Sequence, residues 1–165
     1  MTAALGLRKF ALTLHIVASV GWIGIVAGFL ALAIAGLVSS DASLVLASYL
    51  AMDFSYRTVV IPLGLASLTT GLVCSFVTDW GVFRHYWVVV KLVLTTPAII
   101  LMLVHIEPVR RAARMATATM WPGADLAGLR LQIAGEASAA LVALLVATAL
   151  SIYKPRGRIR RSVRD

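Results

Sequence analysis

The chain has 165 residues, of which 61% are hydrophobic and only 13% are charged, and its formal net charge is +8. This composition excludes a soluble globular domain and a disordered chain, and it predicts an all-α integral membrane protein with one domain. Because Cys74 is the only cysteine, neither a disulfide nor a thiolate metal site can form within one chain.

The first half of the sequence predicts two membrane-spanning helices. Residues 10–40 contain no Asp, Glu, Lys or Arg, so a helix over 10–38 can cross ~30 Å of hydrocarbon. We interpret this run as a retained first span, because it is longer than the apolar region of a typical signal peptide. The apolar stretch 42–52 either lies at the membrane interface or leads into a second span over 56–78. Pro62 is expected to kink that second span.

The second half of the sequence predicts two further spans and a basic tail. Lys91 is the only formal charge in a third span over 86–106. Residues 107–124 suit an interfacial connection, because they combine charges, prolines and a glycine. The fourth span covers 125–153, and the basic segment 154–165 forms a tail. The predicted architecture is a four-helix transmembrane bundle.

The lysines and arginines predict the orientation and the partners of the bundle. Arg8, Lys9 and the basic tail favour cytoplasmic N- and C-termini in the plasma (inner) membrane. In the third connection, Arg110, Arg111 and Arg114 either contact lipid phosphates or hold an anionic ligand. The expected partners are the lipid bilayer, anionic headgroups at the tail, a quinone or another redox partner, and a second copy of the chain. Nucleic acid is not an expected partner.

Two helix faces that bear polar side chains are predicted to point into the bundle. Spacings of three and four residues align one face on the first span: His15, Ser19, Trp22 and Val26. The same spacings align a face on the third span: Lys91, Thr95, Ala98, Met102 and His105. His15 and Lys91 each lie about five residues into their span from the same side, so both are ~8 Å deep and can face each other. A charge inside the membrane costs roughly 3 kcal/mol, so Lys91 either has a partner there or snorkels to the headgroups.

Four other polar or soft side chains are candidates for function. Met102 and His105 form an M-x-x-H pair in the half of the third span that is remote from Lys91. Glu136 lies near mid-membrane in the fourth span, too deep to snorkel, and is expected to be neutral or paired with a cation. His85 lies at the rim of the third span, where a histidine is usually interfacial.

Two pairs of small residues predict close helix packing. Gly24 and Gly28 form a GxxxG motif in the first span, and Ser67 and Gly71 form a small-xxx-small pair in the second. Such pairs let neighbouring backbones approach each other within a membrane. Small faces also leave room for a flat cofactor, so they are compatible with a ligand without indicating one.

Three segments resemble the HemJ-type membrane protoporphyrinogen oxidases. They are L-x-L-H-I-V-A-S-V-G-W around His15 and Trp22, I-P-L-G-L-A-S-L-T-T-G-L in the second span, and W-V-V-V-K-L-V-L-T around Lys91. The related copper-resistance (CopD-like) membrane domains share this layout. The whole chain also resembles a group of actinobacterial four-helix membrane proteins, through W-G-V-F-R-H-Y-W-V-V-V-K and S-I-Y-K-P-R-G. In HemJ-like proteins the first-span histidine and the third-span lysine are associated with haem b and activity, which implies these roles for His15 and Lys91.

Three functions remain open from the sequence. The first is a haem b-binding protein for electron transfer or oxidoreduction, with His15 as axial ligand, Lys91 as second ligand or propionate partner, and Trp22 beside them. The second is a copper-handling membrane protein that uses Met102 and His105, since thioether and imidazole suit copper. The third is a cofactor-free structural or accessory subunit, whose polar residues hold the helices together.

Overall fold

The computed structural model describes residues 2–77, 85–104, 106–118 and 125–153, and almost all of this part of the chain is helical. The helices are α1 (Thr2–Val38), α2 (Ala42–Ser55), α3 (Ile61–Val77), α4 (Tyr86–Val104), α5 (Ile106–Ala118) and α6 (Asp125–Tyr153). A π-helical turn, Tyr56–Val60, joins α2 to α3. The predicted all-α fold is confirmed for the described residues. The predicted basic tail, 154–165, lies outside them.

Four helical segments are long and apolar enough to cross a membrane, as the sequence predicts. They are Leu5–Val38, Ala42–Val77, Tyr86–Thr117 and Ala127–Tyr153. Each is longer than the ~20 residues that a hydrocarbon core requires. Large apolar side chains are exposed along all four, and in a bilayer such side chains contact acyl chains. These features are those of a multi-pass membrane protein.

Two helices extend beyond the predicted spans. The stretch 42–52 leads into the second span, because α2, the π turn and α3 form one run. Helix α5 occupies the first part of the predicted connection, whose remaining residues, 119–124, lie outside the described ones. The irregularity expected at Pro62 takes the form of the π turn. There the Ile61 N–H bonds to the Tyr56 carbonyl oxygen, and the wider turn relieves the crowding that a proline ring causes.

The spans follow one another around the bundle in the order α1, α3, α4, α6. Helix α1 packs against α3 and α6, and α4 packs against the same two helices. Helix α2 packs on α1 and α5, which closes one end of the bundle. That end is the most tightly packed, since it contains the largest fully buried side chains, Tyr49, Met52 and Ser48. The opposite end contains a cavity.

Tyr49 provides a stability test of this packed end. Its ring lies 3.0 Å from where a Cβ on Gly36 would be, and its buried hydroxyl has no hydrogen-bond partner in the part of the chain that the structure describes. Since an unpartnered buried polar group is costly, we expect Tyr49→Phe to raise the free energy of unfolding by about 1 kcal/mol.

Tyr56→Phe is the matched control for this prediction. The Tyr56 hydroxyl donates to the Met102 carbonyl oxygen at 2.7 Å, so its loss should lower the free energy of unfolding by about 1 kcal/mol. Equilibrium unfolding in detergent measures both variants. Shifts of the same sign for the two substitutions would contradict the assignment of the Tyr49 hydroxyl as unpartnered.

Candidate functional site

A cavity of about 450 Å³ lies inside the bundle, and α1, α3, α4 and α6 form its walls. Its volume falls within the range of about 300–1,000 Å³ that is typical of ligand pockets. Most of the lining is aliphatic or aromatic. The polar lining residues are His15, Ser19, Ser67, Cys74, Ser75, Lys91, Thr95, Thr148 and Ser151. Such a cavity suits an apolar ligand that carries a few polar groups.

The backbone of α3 holds the imidazole of His15 in one orientation. His15 Nδ1 lies 3.1 Å from the Ser67 carbonyl oxygen and 3.2 Å from Thr70 Oγ1. A carbonyl oxygen only accepts, so Nδ1 donates the hydrogen and Nε2 keeps the lone pair. The Thr70 hydroxyl is free to accept, because its own hydrogen goes to the Ala66 carbonyl oxygen at 2.5 Å. A histidine that binds a metal through one ring nitrogen usually donates the N–H of the other to a carbonyl or carboxylate oxygen in the same way.

Gly71 makes room for that imidazole. A Cβ on Gly71 would lie 3.0 Å from His15 Cε1, a distance shorter than nine in ten real Cβ contacts. One turn away, the hydroxyls of Ser19 and Ser67 share a hydrogen bond of 2.8 Å between α1 and α3. The close packing predicted for the Ser67 and Gly71 pair is therefore confirmed, and it positions His15.

The GxxxG motif of α1, unlike the Ser67 and Gly71 pair, does not pack against another helix within the described residues. A Cβ on Gly24 or Gly28 would meet nothing within 4 Å, and both residues are exposed. The interpretation of this motif as a packing contact was wrong within one chain. The reason is the helical phase, since Trp22 and Val26, which are buried, occupy the face that turns toward the other helices.

Lys91 reaches across the cavity from α4 to α6. Its Nζ donates to Ser151 Oγ at 2.6 Å and lies 6.0 Å from the centroid of the Trp87 ring. The Ser151 hydroxyl donates in turn to the Ala147 carbonyl oxygen at 2.9 Å. A position over an indole ring favours the charged ammonium. Among the described residues that line the cavity there is no Asp or Glu, so the lining provides a cation without a carboxylate.

Trp22 forms part of the cavity wall, and its indole N–H is buried without an acceptor in the described part of the chain. The side chain is 4% exposed, and its Nε1 has no hydrogen-bond partner among the described residues. Its ring packs on Gly64, where a Cβ would lie 3.0 Å from Trp22 Cε2 and 3.2 Å from Met102 Cε. A buried donor without an acceptor is uncommon in native structures.

The residues of the haem and copper hypotheses separate in the structure. His15, Trp22 and Lys91 line one cavity, as the helical faces predict. Met102 is buried beside Trp22 but does not belong to the lining, and His105 lies outside the described residues. In the part of the chain that the structure describes, no group of three or more His, Cys, Asp or Glu could hold a metal ion.

The arginines of α5 lie at the far end from the cavity. Glu107 accepts from Arg110 at 2.9 Å and from Arg114 at 3.0 Å on an exposed face. Arg111 is also exposed. Because Glu107 offsets part of their charge, these arginines form a weaker anion site than three isolated guanidinium groups would. Exposed ion pairs of this kind contribute little to stability.

Glu136 and His85 also lie away from the cavity lining. Gln132 Nε2 donates to Glu136 Oε1 at 2.8 Å, one turn along α6. Within the described residues, the Nε and Nη2 atoms of Arg130 have no hydrogen-bond partner, and the guanidinium lies 5.9 Å from the Tyr49 ring centroid. The carbonyl oxygen of His85 accepts from the amides of Val88 and Val89, and the centroid of its ring lies 6.3 Å from that of the Trp87 ring, with the two planes tilted by 46°. His85 therefore has a local role at the start of α4.

Sequence reasoning missed the residues that hold His15 and Lys91. Ser67 acts through its carbonyl oxygen, which no side-chain pattern reveals. Thr70 and Ser151 had a weak signal, since each lies about one helical turn from another small or hydroxyl residue within an apolar run. Cys74 was noted only as a lone apolar cysteine, although it also lines the cavity.

Comparison of the chain with protein-family models, with curated proteins and with solved structures finds no match. The class of protein therefore follows from the fold and the cavity alone. Four helices of membrane-spanning length enclose a partly polar cavity at one end. This describes a multi-pass membrane protein with an internal cavity.

Proposed function

We propose that the protein binds haem b in this cavity, with His15 as an axial ligand and Lys91 as the partner of a propionate group. The protein would act in electron transfer or as an oxidoreductase within the membrane. The observation that carries the proposal is the hydrogen bond from His15 Nδ1 to the Ser67 carbonyl oxygen, 3.1 Å long. It leaves Nε2 unprotonated, as iron ligation requires.

The charges of the cavity support the assignment of Lys91. Haem b carries two propionates, and the only formal charge among the described lining residues is that of Lys91. An ammonium held by Ser151 and Trp87 is suited to pair with a carboxylate. A second axial ligand would have to be a neutral amine, which the position over the Trp87 ring does not favour.

The rest of the lining suits the macrocycle. The polar groups share the lining with aliphatic side chains and with Trp22 and Trp87. These apolar side chains would exclude water from a bound ring. When bound, haem would supply a one-electron iron couple whose potential depends on the axial ligand and on this apolar surrounding. The resemblance of the His15 and Lys91 segments to HemJ-type proteins adds support that is independent of the cavity.

We also propose that both termini lie in the cytoplasm and that the cavity is at the cytoplasmic side of the plasma membrane. Arg8, Lys9 and the basic residues of 154–165 support this orientation through the positive-inside rule. The α5 arginines count against it, but the basic residues of the N-terminus and of 154–165 outnumber them. A cysteine placed at residue 2 should then be labelled by membrane-impermeant maleimide only after the membrane is permeabilised.

Copper handling is the second candidate, and fewer observations support it. Met102 packs on Gly64 and Trp22 in the core, which leaves its thioether next to apolar groups. A cofactor-free accessory subunit is the third candidate. The cavity speaks against a purely structural packing role.

Spectroscopic titration tests the proposal. Detergent-purified protein should bind haem saturably at one equivalent per chain, with a Soret band distinct from that of free haem in the same micelles. Metal analysis of the same preparation distinguishes the alternatives, since copper without a Soret band would favour the second candidate. Protein that remains colourless after reconstitution and contains no copper would favour the accessory subunit and overturn the haem proposal.

A further inference from the structure

The residues that line the cavity differ in how far their side chains are exposed on the outside of the bundle. Among its described lining residues, those with more than a third of their surface exposed all belong to α1 and α6. They are Leu12 (36%), Ile16 (52%), Val20 (62%) and Ile152 (71%). The lining residues that α3 and α4 contribute are buried or half-buried. These exposures place the mouth of the cavity on the side of α1 and α6.

The mouth faces lipid. Leu12, Ile16 and Val20 follow one another at four-residue intervals along α1, so they form a single stripe beside the His15 face. They and Ile152 lie within the membrane-spanning segments Leu5–Val38 and Ala127–Tyr153. All four exposed lining residues are aliphatic, and aliphatic side chains at this depth contact acyl chains. A ligand that crosses this rim comes from the hydrocarbon phase more readily than from water.

The floor of the cavity is polar, in contrast to the mouth. His15 and Lys91 lie behind the aliphatic rim, together with the hydroxyls of Ser67 and Ser151. The described lining contains the ammonium of Lys91 and no carboxylate. This charge favours a ligand with an anionic or electron-rich end. The mouth favours a ligand whose body dissolves in the membrane. Both conditions describe a membrane-dissolved amphiphile that enters with its acidic end first.

We infer that the cavity is loaded laterally from the lipid phase, through the opening between α1 and α6, by a membrane-dissolved acidic amphiphile. The identification of that amphiphile as haem rests on the proposed function, whereas the opening itself does not. Ile16 on α1 and Ile152 on α6 form the two sides of this opening, so larger side chains at these positions narrow it.

Loading kinetics test the inference with haem as the probe. Apo-protein in phosphatidylcholine nanodiscs is mixed with haem-loaded vesicles of the same lipid, and growth of the Soret band gives the loading rate. The double variant Ile16→Phe/Ile152→Phe should load about tenfold more slowly than the original protein. The matched control is Val17→Phe/Val146→Phe. Val17 and Val146 are 64% and 44% exposed on the same helices but do not line the cavity. Equal rates for the two double variants would overturn the inference.

A second measurement does not depend on haem. In a Trp80→Phe/Trp121→Phe background, fluorescence comes from Trp22 and Trp87, which both line the cavity. Phosphatidylcholine with brominated acyl chains should quench this fluorescence through the mouth, and the blocking substitutions should lower the quenching while the control substitutions do not. This result would support the opening even if no haem binds, which separates the two proposals. Quenching that is the same in blocked and control proteins would overturn the lateral opening.

Discussion

The His15→Ala variant is expected to lose saturable haem binding. The substitution removes an imidazole that lines the cavity and whose Nδ1 bonds to the Ser67 carbonyl oxygen. Loss of an outer-shell partner of a metal ligand costs about 10–100-fold in affinity, and loss of the ligand itself should cost more than that. Titration of the purified variant with haem, followed at the Soret band, measures the effect.

His85→Ala is the matched control for this variant. His85 is the other histidine that the structure describes, and it does not line the cavity. The control should bind haem with the affinity of the original protein. A His15→Ala protein with an unchanged Soret band, or equal losses in both variants, would contradict the assignment of His15.

Gly71→Ala tests the same site without touching a ligand. The new Cβ would lie 3.0 Å from His15 Cε1, so the ring has to shift and the hydrogen bond to Ser67 is strained. We expect haem affinity to fall about tenfold, as for the loss of an outer-shell contact. Gly24→Ala introduces the same methyl group on α1, where nothing lies within 4 Å, and should leave affinity unchanged.

The meeting of His15 and Lys91 could be predicted from the sequence because it depends only on regular helix geometry. A rise of about 1.5 Å per residue sets the depth of each side chain, and spacings of three and four residues set its face. Both residues line one cavity in the structure. The contacts that hold them depend on the axial shift of α3 relative to α1 and of α6 relative to α4, which helix geometry within one span does not determine. Ser67 lies 52 residues from His15, and Ser151 lies 60 residues from Lys91.

The ends of the helices were less predictable than their existence. The charged and proline-containing stretch after residue 106 predicts an interfacial connection without a defined helix, and in the structure α5 runs through Pro108, because proline is tolerated within the first turn of a helix. The run from α2 to α3 continues past Pro62 because a π turn precedes it. The direction of Gly24 and Gly28 also depends on how α1 is rotated against its neighbours. Composition does not fix that rotation.

Lys91→Met is expected to weaken haem binding and, in the same protein, to stabilise the apo bundle. Removal of a charge-assisted hydrogen bond to a propionate costs about 2 kcal/mol, which is roughly 30-fold in Kd. Methionine retains the apolar length of the side chain but removes a charge that costs about 3 kcal/mol inside a membrane. Ser151 is left bonded to the Ala147 carbonyl oxygen, so the substitution creates no unpaired hydroxyl.

The opposite signs of the two effects distinguish a functional lysine from a structural one. A lysine that only joins α4 to α6 would, when replaced, lower stability and leave the haem affinity of the folded fraction unchanged. Replacement of a lysine that is retained for a ligand lowers the haem affinity, while the stability of the apo-protein stays the same or rises. Haem titration and equilibrium unfolding of one preparation give both numbers. Lys9→Met, which removes an exposed charge near the start of α1, is the control and should change neither.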